Sequence, residues 1–442
     1  MNNLTSRQRK TACVVGILVL LVPIVILGMP AGDQAEASGG VLARLRSEYD
    51  LGESDLGQID PTSATMNLVL LGLRGVAVNM LRMDLDHYKN TKNWAELRAT
   101  TDAVITLQPH YIEVWRFLSW NMAYNVSAEW DAVPDRYYWV KEGGKFSQEG
   151  TRRNSDVPEL YWETGRVWGQ KVGRSDEWKY FRKYFINDPN EEEFGGGVDV
   201  EVNPEQKDNY LVAKDWYTDA NVVEDDRVQH IMMRALFRSY PTRSQLDYAD
   251  ALQREGKFDS RTVQAWEQSF TEWTQGYGKM TFKAPACVLY MEANEDDVRQ
   301  MAEDNNVDEQ IIQRWLKHYQ HTTNYRYWRS RSHSESQPET GEAHKLIYEG
   351  EQLYTQGELN KALPKLVRGM GLFATMIDDE HHPELANEDL TAEEGMWAVL
   401  LWQKILELQG KPIPETYALK SLWERHQRVL PELEGRFNRL GL

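Results

Sequence analysis

The spacing of apolar residues between Leu346 and Leu366 predicts a hairpin of two helices. The residues that carry the pattern are Leu346, Gly350, Leu353, Gly357, Leu359, Ala362 and Leu366. The first four follow one another at steps of four, three and four, which places them on one face of a helix. Gly357 ends that helix, and the last three lie on one face of the next helix. The small residues Gly350 and Ala362 among large ones allow the two helices to pack closely.

Two earlier stretches show the same alternation of large and small residues. Helices are predicted at 93–107 and 112–127, with a proline between them, and a further helix that begins near residue 158 would pair with one at 176–185. The positions that carry the alternation are Pro109, Trp115, Leu118 and Ser119 in the first stretch and Tyr161, Gly165 and Trp168 in the second.

Each of these stretches resembles a tetratricopeptide repeat (TPR), a pair of packed helices that stacks on its neighbours and presents a surface to protein partners. Over much of 60–370 the chain is also similar to membrane-anchored repeat proteins of planctomycete-type bacteria, on segments such as 107–110 (LQPH) and 324–328 (NYRYW). That resemblance implies no enzymatic activity. The chain departs from the repeat pattern because Pro364 lies past the first turn of its helix and should kink it. Ala374 also stands where the repeat usually closes with proline.

The sequence therefore predicts an all-α protein, an irregular TPR-like α-solenoid of helical hairpins with an N-terminal transmembrane helix. The predicted segments are a cytoplasmic N-terminus at 1–10, a transmembrane anchor at 11–29, a tether at 30–60, an N-terminal TPR-like region at 61–185, an acidic and glycine-rich loop at 186–210, a middle helical region at 211–322 and a C-terminal TPR-like region with its cap at 323–442. Within the loop, 198–202 alternates enough for a short edge strand. The last two helices are expected at 397–408 and 416–430.

The N-terminal segment predicts attachment to a membrane. Residues 11–29 carry no charge and would span about 28 Å as a helix, close to the thickness of the hydrocarbon core. Arg7, Arg9 and Lys10 precede them, which favours a single-pass protein of the bacterial inner membrane with its N-terminus inside and its bulk in the periplasm. The alternative is a signal peptide cleaved after the small-x-small sequence at 35–37. A second apolar patch, 66–81, contains a charged arginine and is interpreted as a buried helix, with a helix on the membrane surface as the alternative.

Composition limits which partners the protein can bind and which kinds of reactive site it can contain. The net charge of −18 disfavours binding to nucleic acid, because an acidic surface repels phosphate backbones. Cys13 and Cys287 are the only cysteines, too few for a disulfide framework or a cysteine metal site. Neither phosphate-binding loops nor nucleophile elbows are found in the sequence, and no cofactor is expected.

Two groups of polar residues are candidates for sites of chemistry. The segment 378–382 (DDEHH) is the densest set of possible metal ligands, but adjacent residues of a helix point about 100° apart, so a solvated turn is favoured over a metal site. His333 and His344 are too far apart to bind one metal ion together, and no partner ligands are evident for them in the sequence. Glu159 and Glu163 resemble the paired carboxylates of a glycoside hydrolase, yet carboxylates one turn apart lie on the same wall and do not flank a bond.

Aromatic residues provide the remaining candidate site. Trp and Tyr are frequent from Trp115 to Trp178, and most of them are expected to pack between helices. The alternative is a groove for an extended peptide or a glycan, with basic residues that hold an acidic end of the ligand. The groove residues singled out are Trp120, Trp139, Trp162, Lys141, Arg152 and Arg153.

The function predicted from these features is that of a membrane-anchored, extracytoplasmic scaffold or adaptor for protein–protein interaction. It would contact protein partners near the membrane and the bilayer itself through 11–29. Two other functions remain open. One is a receptor that binds a cell-wall glycan or peptide in the aromatic groove, and the other is a hydrolase. The leading prediction is that the protein is not an enzyme, and it assigns no catalytic, cofactor or metal residue.

Overall fold

A computed structural model describes residue 22 and residues 74–377 and 382–439 of the chain. The predicted cytoplasmic N-terminus, the tether and, apart from Val22, the membrane anchor lie outside the described residues, as do 61–73 and 378–381. Among the residues that are described, no helix combines the length and the apolar character needed to cross a bilayer.

The described chain is predominantly helical, which confirms the all-α class. In the first half the helices are α1 (Arg74–Asn90), α2 (Trp94–Leu107), α3 (Ile112–Trp120), α4 (Val133–Arg153), α5 (Pro158–Arg166), α6 (Val172–Arg174), α7 (Trp178–Ile186), α8 (Glu191–Phe194) and α9 (Asn209–Asp226). Segments of π-helix at Asn121–Val126 and Val167–Lys171 follow α3 and α5 without a break. Asn93 begins α2 by accepting a hydrogen bond from the backbone amide of Glu96 through its side chain.

The second half continues this pattern around one short hairpin. Its helices are α10 (Arg234–Arg238), α11 (Tyr240–Arg254), α12 (Ser260–Thr271), α13 (Glu295–Asn305), α14 (Glu309–Thr322), α15 (Tyr325–Glu335), α16 (Pro338–Thr355), α17 (Leu359–Met376), α18 (Pro383–Asn387), α19 (Asp389–Leu408), α20 (Lys420–Arg425) and α21 (Leu430–Arg439), with π-helix at Glu272–Gly276 and 3₁₀ turns at Tyr277–Lys279 and Gln427–Val429. Strands β1 (Phe282–Lys283) and β2 (Val288–Leu289) pair antiparallel, with Phe282 opposite Leu289. This hairpin was not predicted.

Two compact units divide the chain. Within the described residues, the first unit contains 74–167, 175–204 and 223–227, and the second unit contains 168–174, 205–222 and the described chain from 228 onward. The core of the first unit includes Leu97, Val104, Trp115 and Leu118, each at most 3 % exposed. The second unit holds two cores, one around Trp266 and Trp273 and one around Trp397.

The hairpin predicted from the Leu346–Leu366 spacing is present as α16 and α17. Gly350 faces α17 so closely that an added Cβ would lie 2.7 Å from the side chain of Leu366. Gly357 has a φ of +75°, the left-handed conformation that ends a helix and that glycine adopts without strain. Helix α17 runs without a break through Pro364.

Three local predictions were wrong. Residues 198–202 form turns and not an edge strand, because Asp199 accepts hydrogen bonds from the backbone amides of Val202 and Asn203 through its carbonyl and from Glu201 through its carboxylate. The predicted helix at 416–430 is instead α20 and a 3₁₀ turn, and Leu430 begins a helix where it was expected to end one. The predicted helix at 397–408 begins earlier, at Asp389.

Candidate functional site

A cavity of about 280 Å³ in the first unit lies between stripes of residues from three helical segments. The wall on α2 consists of Trp94, Leu97, Arg98, Thr101 and Asp102. The wall on α4 consists of Trp139, Glu142, Lys145, Phe146, Glu149 and Arg152. The floor consists of Leu118, Met122 and Val126, from α3 and the π-helix that follows it, and Glu201 closes the lining. Each member of a stripe lies three or four residues from another member, so that helical geometry brings them to one face.

The floor of this cavity is apolar and well packed. Leu118 and Val126 are almost fully buried, and Met122 is 9 % exposed. The floor is held against α4 where Gly143 contacts the backbone of α3 and the π-helix, and where Ser119 Oγ donates a hydrogen bond of 2.9 Å to the Gly143 carbonyl. A ligand placed here would bury an apolar body against aliphatic side chains.

The rim of the cavity carries positively and negatively charged side chains, and each of its cations is paired with a carboxylate. Arg98 lies 3.7 Å from Glu142. Lys145 lies 2.8 Å from Asp199 and 3.1 Å from Glu201. Arg152 lies 3.1 Å from Glu149. Since the lining contains four carboxylates and three cations, one carboxylate is in excess, and it belongs to Asp102.

Burial and these ion pairs shift the pKa values of three ionisable side chains at the rim. Burial raises the pKa of the Asp102 carboxyl, and the positive charge of Arg98 opposes that shift only in part. Burial also disfavours the charge of Lys145, but its hydrogen bonds to Asp199 and Glu201 outweigh burial and raise its pKa. For Glu149 the hydrogen bonds from Arg153 and Arg152 outweigh burial and lower the pKa.

The structure separates the residues of the predicted aromatic groove. Trp139 and Arg152 line the cavity, whereas Trp120, Trp162, Lys141 and Arg153 do not. Trp120 stacks on Tyr124, with ring centroids 6.4 Å apart, and the guanidinium of Arg166 lies 4.9 Å from the Tyr124 ring and 5.8 Å from that of Trp162. These two tryptophans thus belong to a separate cation–π cluster.

The two remaining basic residues of the predicted groove are engaged within the chain. Lys141 is buried, and its ammonium lies 2.6 Å from Asp188 and 3.2 Å from Asp199. It therefore ties α4 to the 186–210 segment and is not an open anchor for an acidic ligand. Arg153 Nε donates a hydrogen bond of 2.8 Å to Glu149.

The predicted repeat positions mostly lie in the cores. Trp115 is 2 % exposed and donates a hydrogen bond of 2.8 Å from its indole to the carbonyl of Pro109, which closes the turn between α2 and α3. The other buried positions are Pro109, Leu118, Ser119, Gly165, Trp168, Leu346, Gly350, Ala362 and Leu366. Tyr161 and Leu353 are half-buried, and Leu353 packs against the core around Trp397.

The carboxylate pair considered for hydrolysis does not line the cavity. Glu163 is buried and forms an ion pair with Arg166 one turn later, whereas Glu159 is half-buried at the start of α5. Among the described residues, no cluster of three or more His, Cys, Asp or Glu side chains could hold a metal ion. Most of the 378–382 segment lies outside those residues.

A second, more open cavity of about 350 Å³ lies in the second unit. Its lining is mainly polar and includes Lys207, Lys214, Arg261, Gln245 and Gln268. Lys207 lies 2.8 Å from Asp215, and Lys214 lies 2.6 Å from Glu272, so both ammonium groups already have carboxylate partners. It lacks the apolar floor of the first cavity.

Sequence reasoning missed a buried network of charges in the second unit. Arg331 lies 2.6 Å from Asp250 and 3.5 Å from Glu335, and its guanidinium stands 5.5 Å from the ring of Trp266. Gln253 donates a hydrogen bond of 2.9 Å to Glu335. These groups link α11, α12 and α15 in the core.

His344 extends this network and is not without partners, contrary to the prediction. Its Nε2 lies 2.8 Å from Glu335, and its Nδ1 lies 2.7 Å from Glu394. Two carboxylates that face the same imidazole favour its positively charged form. Burial opposes that charge, but the negative charges of Glu335 and Glu394 raise the pKa of His344 well above its usual value.

We expect the stabilising effect of His344 to depend on pH. Because the folded-state pKa is raised, the contribution is fully present below the unfolded value of about 6.5 and is lost as the pH rises through the folded-state value. The stability advantage of the parent over H344Q should therefore be largest near pH 6 and then fall by about 1.4 kcal/mol per pH unit. Urea unfolding of both proteins at a series of pH values measures this difference, and a difference independent of pH would contradict the assignment.

Comparisons with protein-family models, with curated proteins and with solved structures find no match for this chain.

Proposed function

We propose that this protein is a non-enzymatic binding protein that captures a short peptide segment of a protein partner in the cavity between α2 and α4. The observation that carries the proposal is the combination of an apolar floor with a rim of two tryptophans and paired charges. Such a composition is typical of binding sites, in which apolar contacts supply affinity and a few polar groups fix the orientation.

The nature of the floor favours a peptide over a glycan. Leu118, Met122 and Val126 offer aliphatic surface, which matches the side chains of Leu, Phe or Met. A sugar would leave its hydroxyl groups without partners on this floor, at a free-energy cost for each buried hydroxyl. A cell-wall glycan remains the second candidate, supported by the tryptophan rings of the rim.

The proposal includes the adaptor role and the location predicted from the sequence. The α16–α17 hairpin and the glycine contacts between α3 and α4 are compatible with an irregular solenoid of TPR-like hairpins, whose surfaces serve protein partners. A transmembrane helix at 11–29 would hold this adaptor at the inner membrane with its helical units in the periplasm.

Replacement of Trp139 tests the cavity. We expect W139A to weaken binding of acetyl-Phe-Leu-amide about 30-fold, because a buried tryptophan at a binding site is worth about 2 kcal/mol. Calorimetric titration of the parent and the variant measures the change. Y180A is the matched control, since Tyr180 is an aromatic residue of the same unit that is 54 % exposed and outside the cavity.

Two outcomes would contradict the proposal. Equal loss of affinity in W139A and Y180A would place the binding elsewhere. Binding of cell-wall glycan fragments by the parent, without binding of the dipeptide, would support the second candidate instead.

A further inference from the structure

The unpaired carboxylate of the cavity identifies the chemistry of the ligand more closely, on the assumption that the proposed function is correct. Arg98, Lys145 and Arg152 each have a carboxylate partner from the chain. Within the described part of the chain, Asp102 forms no ion pair, and its carboxylate takes part in no hydrogen bond. A ligand cation would find its partner at this residue.

The position of Asp102 also fits a ligand group at one end of the cavity. Asp102 and Trp94 lie eight residues apart on the same face of α2, a distance of about 12 Å along the helix axis. Leu97 and Arg98 lie between them, and the floor is apolar. The lining thus offers an aromatic contact at one end, an aliphatic surface in the middle and a carboxylate at the other end.

We propose that the ligand of this cavity is a short peptide that carries a protonated amine, and that the Asp102 carboxylate binds this amine while the apolar part of the ligand covers Leu97 and Met122. The ammonium can belong to a lysine side chain or to a free N-terminus, since both present the same three donors. The Asp102 side chain is exposed to solvent at the cavity, so a ligand ammonium can reach its carboxylate and form a charge-assisted hydrogen bond there.

A matched set of dipeptides tests the inference on the full-length protein. The probes are acetyl-Phe-Lys-amide, its norleucine and glutamate analogues, and Phe-norleucine-amide with a free N-terminus. For the parent we expect the lysine peptide to bind about tenfold more tightly than the norleucine peptide, and the glutamate peptide to bind more weakly than either. The peptide with the free N-terminus shows whether an α-amine can replace the lysine ammonium.

The D102N variant then assigns the preference to one carboxylate. We expect it to lose the tenfold advantage of the lysine peptide over the norleucine peptide. E96Q is the matched control, because Glu96 is an exposed carboxylate of the same helix outside the cavity, and it should retain the preference. Because Asp102 is exposed and forms no ion pair, D102N should melt close to the temperature of the parent.

The outcomes separate this inference from the proposed function. If no dipeptide binds the parent, the proposed function fails and the inference with it. If the peptides bind but the parent does not distinguish lysine from norleucine, or D102N keeps the preference, the inference alone is overturned and the cavity remains a peptide site.

Discussion

The E335Q substitution should lower the free energy of unfolding by about 3 kcal/mol, although it changes neither the size nor the shape of the side chain. Glu335 is 1 % exposed and lies between Arg331 and His344 in the core of the second unit. Removal of one member of a buried charge network leaves the others without full compensation, and such changes cost about 3–5 kcal/mol. The lower end applies here because Arg331 keeps Asp250 and His344 keeps Glu394.

A matched substitution at the surface separates this effect from a general loss of charge. Asp296 pairs with Arg299 on α13, and both side chains are more than half exposed. D296N should therefore change the stability by less than about 0.5 kcal/mol. Urea unfolding followed by circular dichroism compares the two variants with the parent, and an E335Q protein as stable as D296N would show that the network contributes little.

A second large effect is expected at Gly143, where the G143A variant should lose about 3 kcal/mol. A Cβ atom at this position would lie 2.8 Å from the backbone oxygen of Ser119 and 2.9 Å from the backbone nitrogen of Ala123. Both contacts are with main-chain atoms, so α3 and α4 must move apart to admit one methyl group. The same movement would open the floor of the cavity, so G143A should also weaken dipeptide binding.

Substitutions at two other helical glycines provide a comparison for the stability of G143A. At Gly350 an added Cβ would crowd side-chain atoms of Leu366, at 2.7 Å, and the nearest main-chain atom of that residue lies 3.6 Å away, so G350A should cost less than G143A. Gly371 has no atom within 4 Å of an added Cβ, and G371A should stabilise the protein by up to about 1 kcal/mol through helix propensity. Thermal unfolding of the three variants should rank them in this order, and equal melting temperatures would contradict the close approach of α3 and α4.

Sequence periodicity predicted the helices well because helical spacing is a local property. The α16–α17 hairpin, the beginning of α2 after Asn93 and the turn at Pro109 all depend on residues a few positions apart. Short polar connections were harder to predict. The 198–202 turn forms because Asp199 accepts hydrogen bonds from the backbone amides that follow it. These local bonds compete with strand pairing, and the alternation of residue types does not reveal them.

The partners of buried charges could not be predicted from spacing alone. Lys141 meets Asp188 after 47 residues, and His344 meets Glu394 after 50, because the packing of helices and not their periodicity brings them together. The cavity was predicted in part. Trp139 and Arg152 were among the candidates, whereas Trp94 and Asp102 lie before the aromatic stretch, even though both stand on one face of a predicted helix.

The π-helix at Asn121–Val126 has a consequence for how this binding site could change. A wide turn accommodates one residue more than an ordinary α-helical turn, and it supplies Met122 and Val126 to the cavity floor. Loss of one residue from this segment would restore a regular helix, move the side chains of the floor, and leave the residues after the segment close to their original faces. A single-codon deletion could thus reshape the recognition surface while it leaves the rest of the helical framework in register.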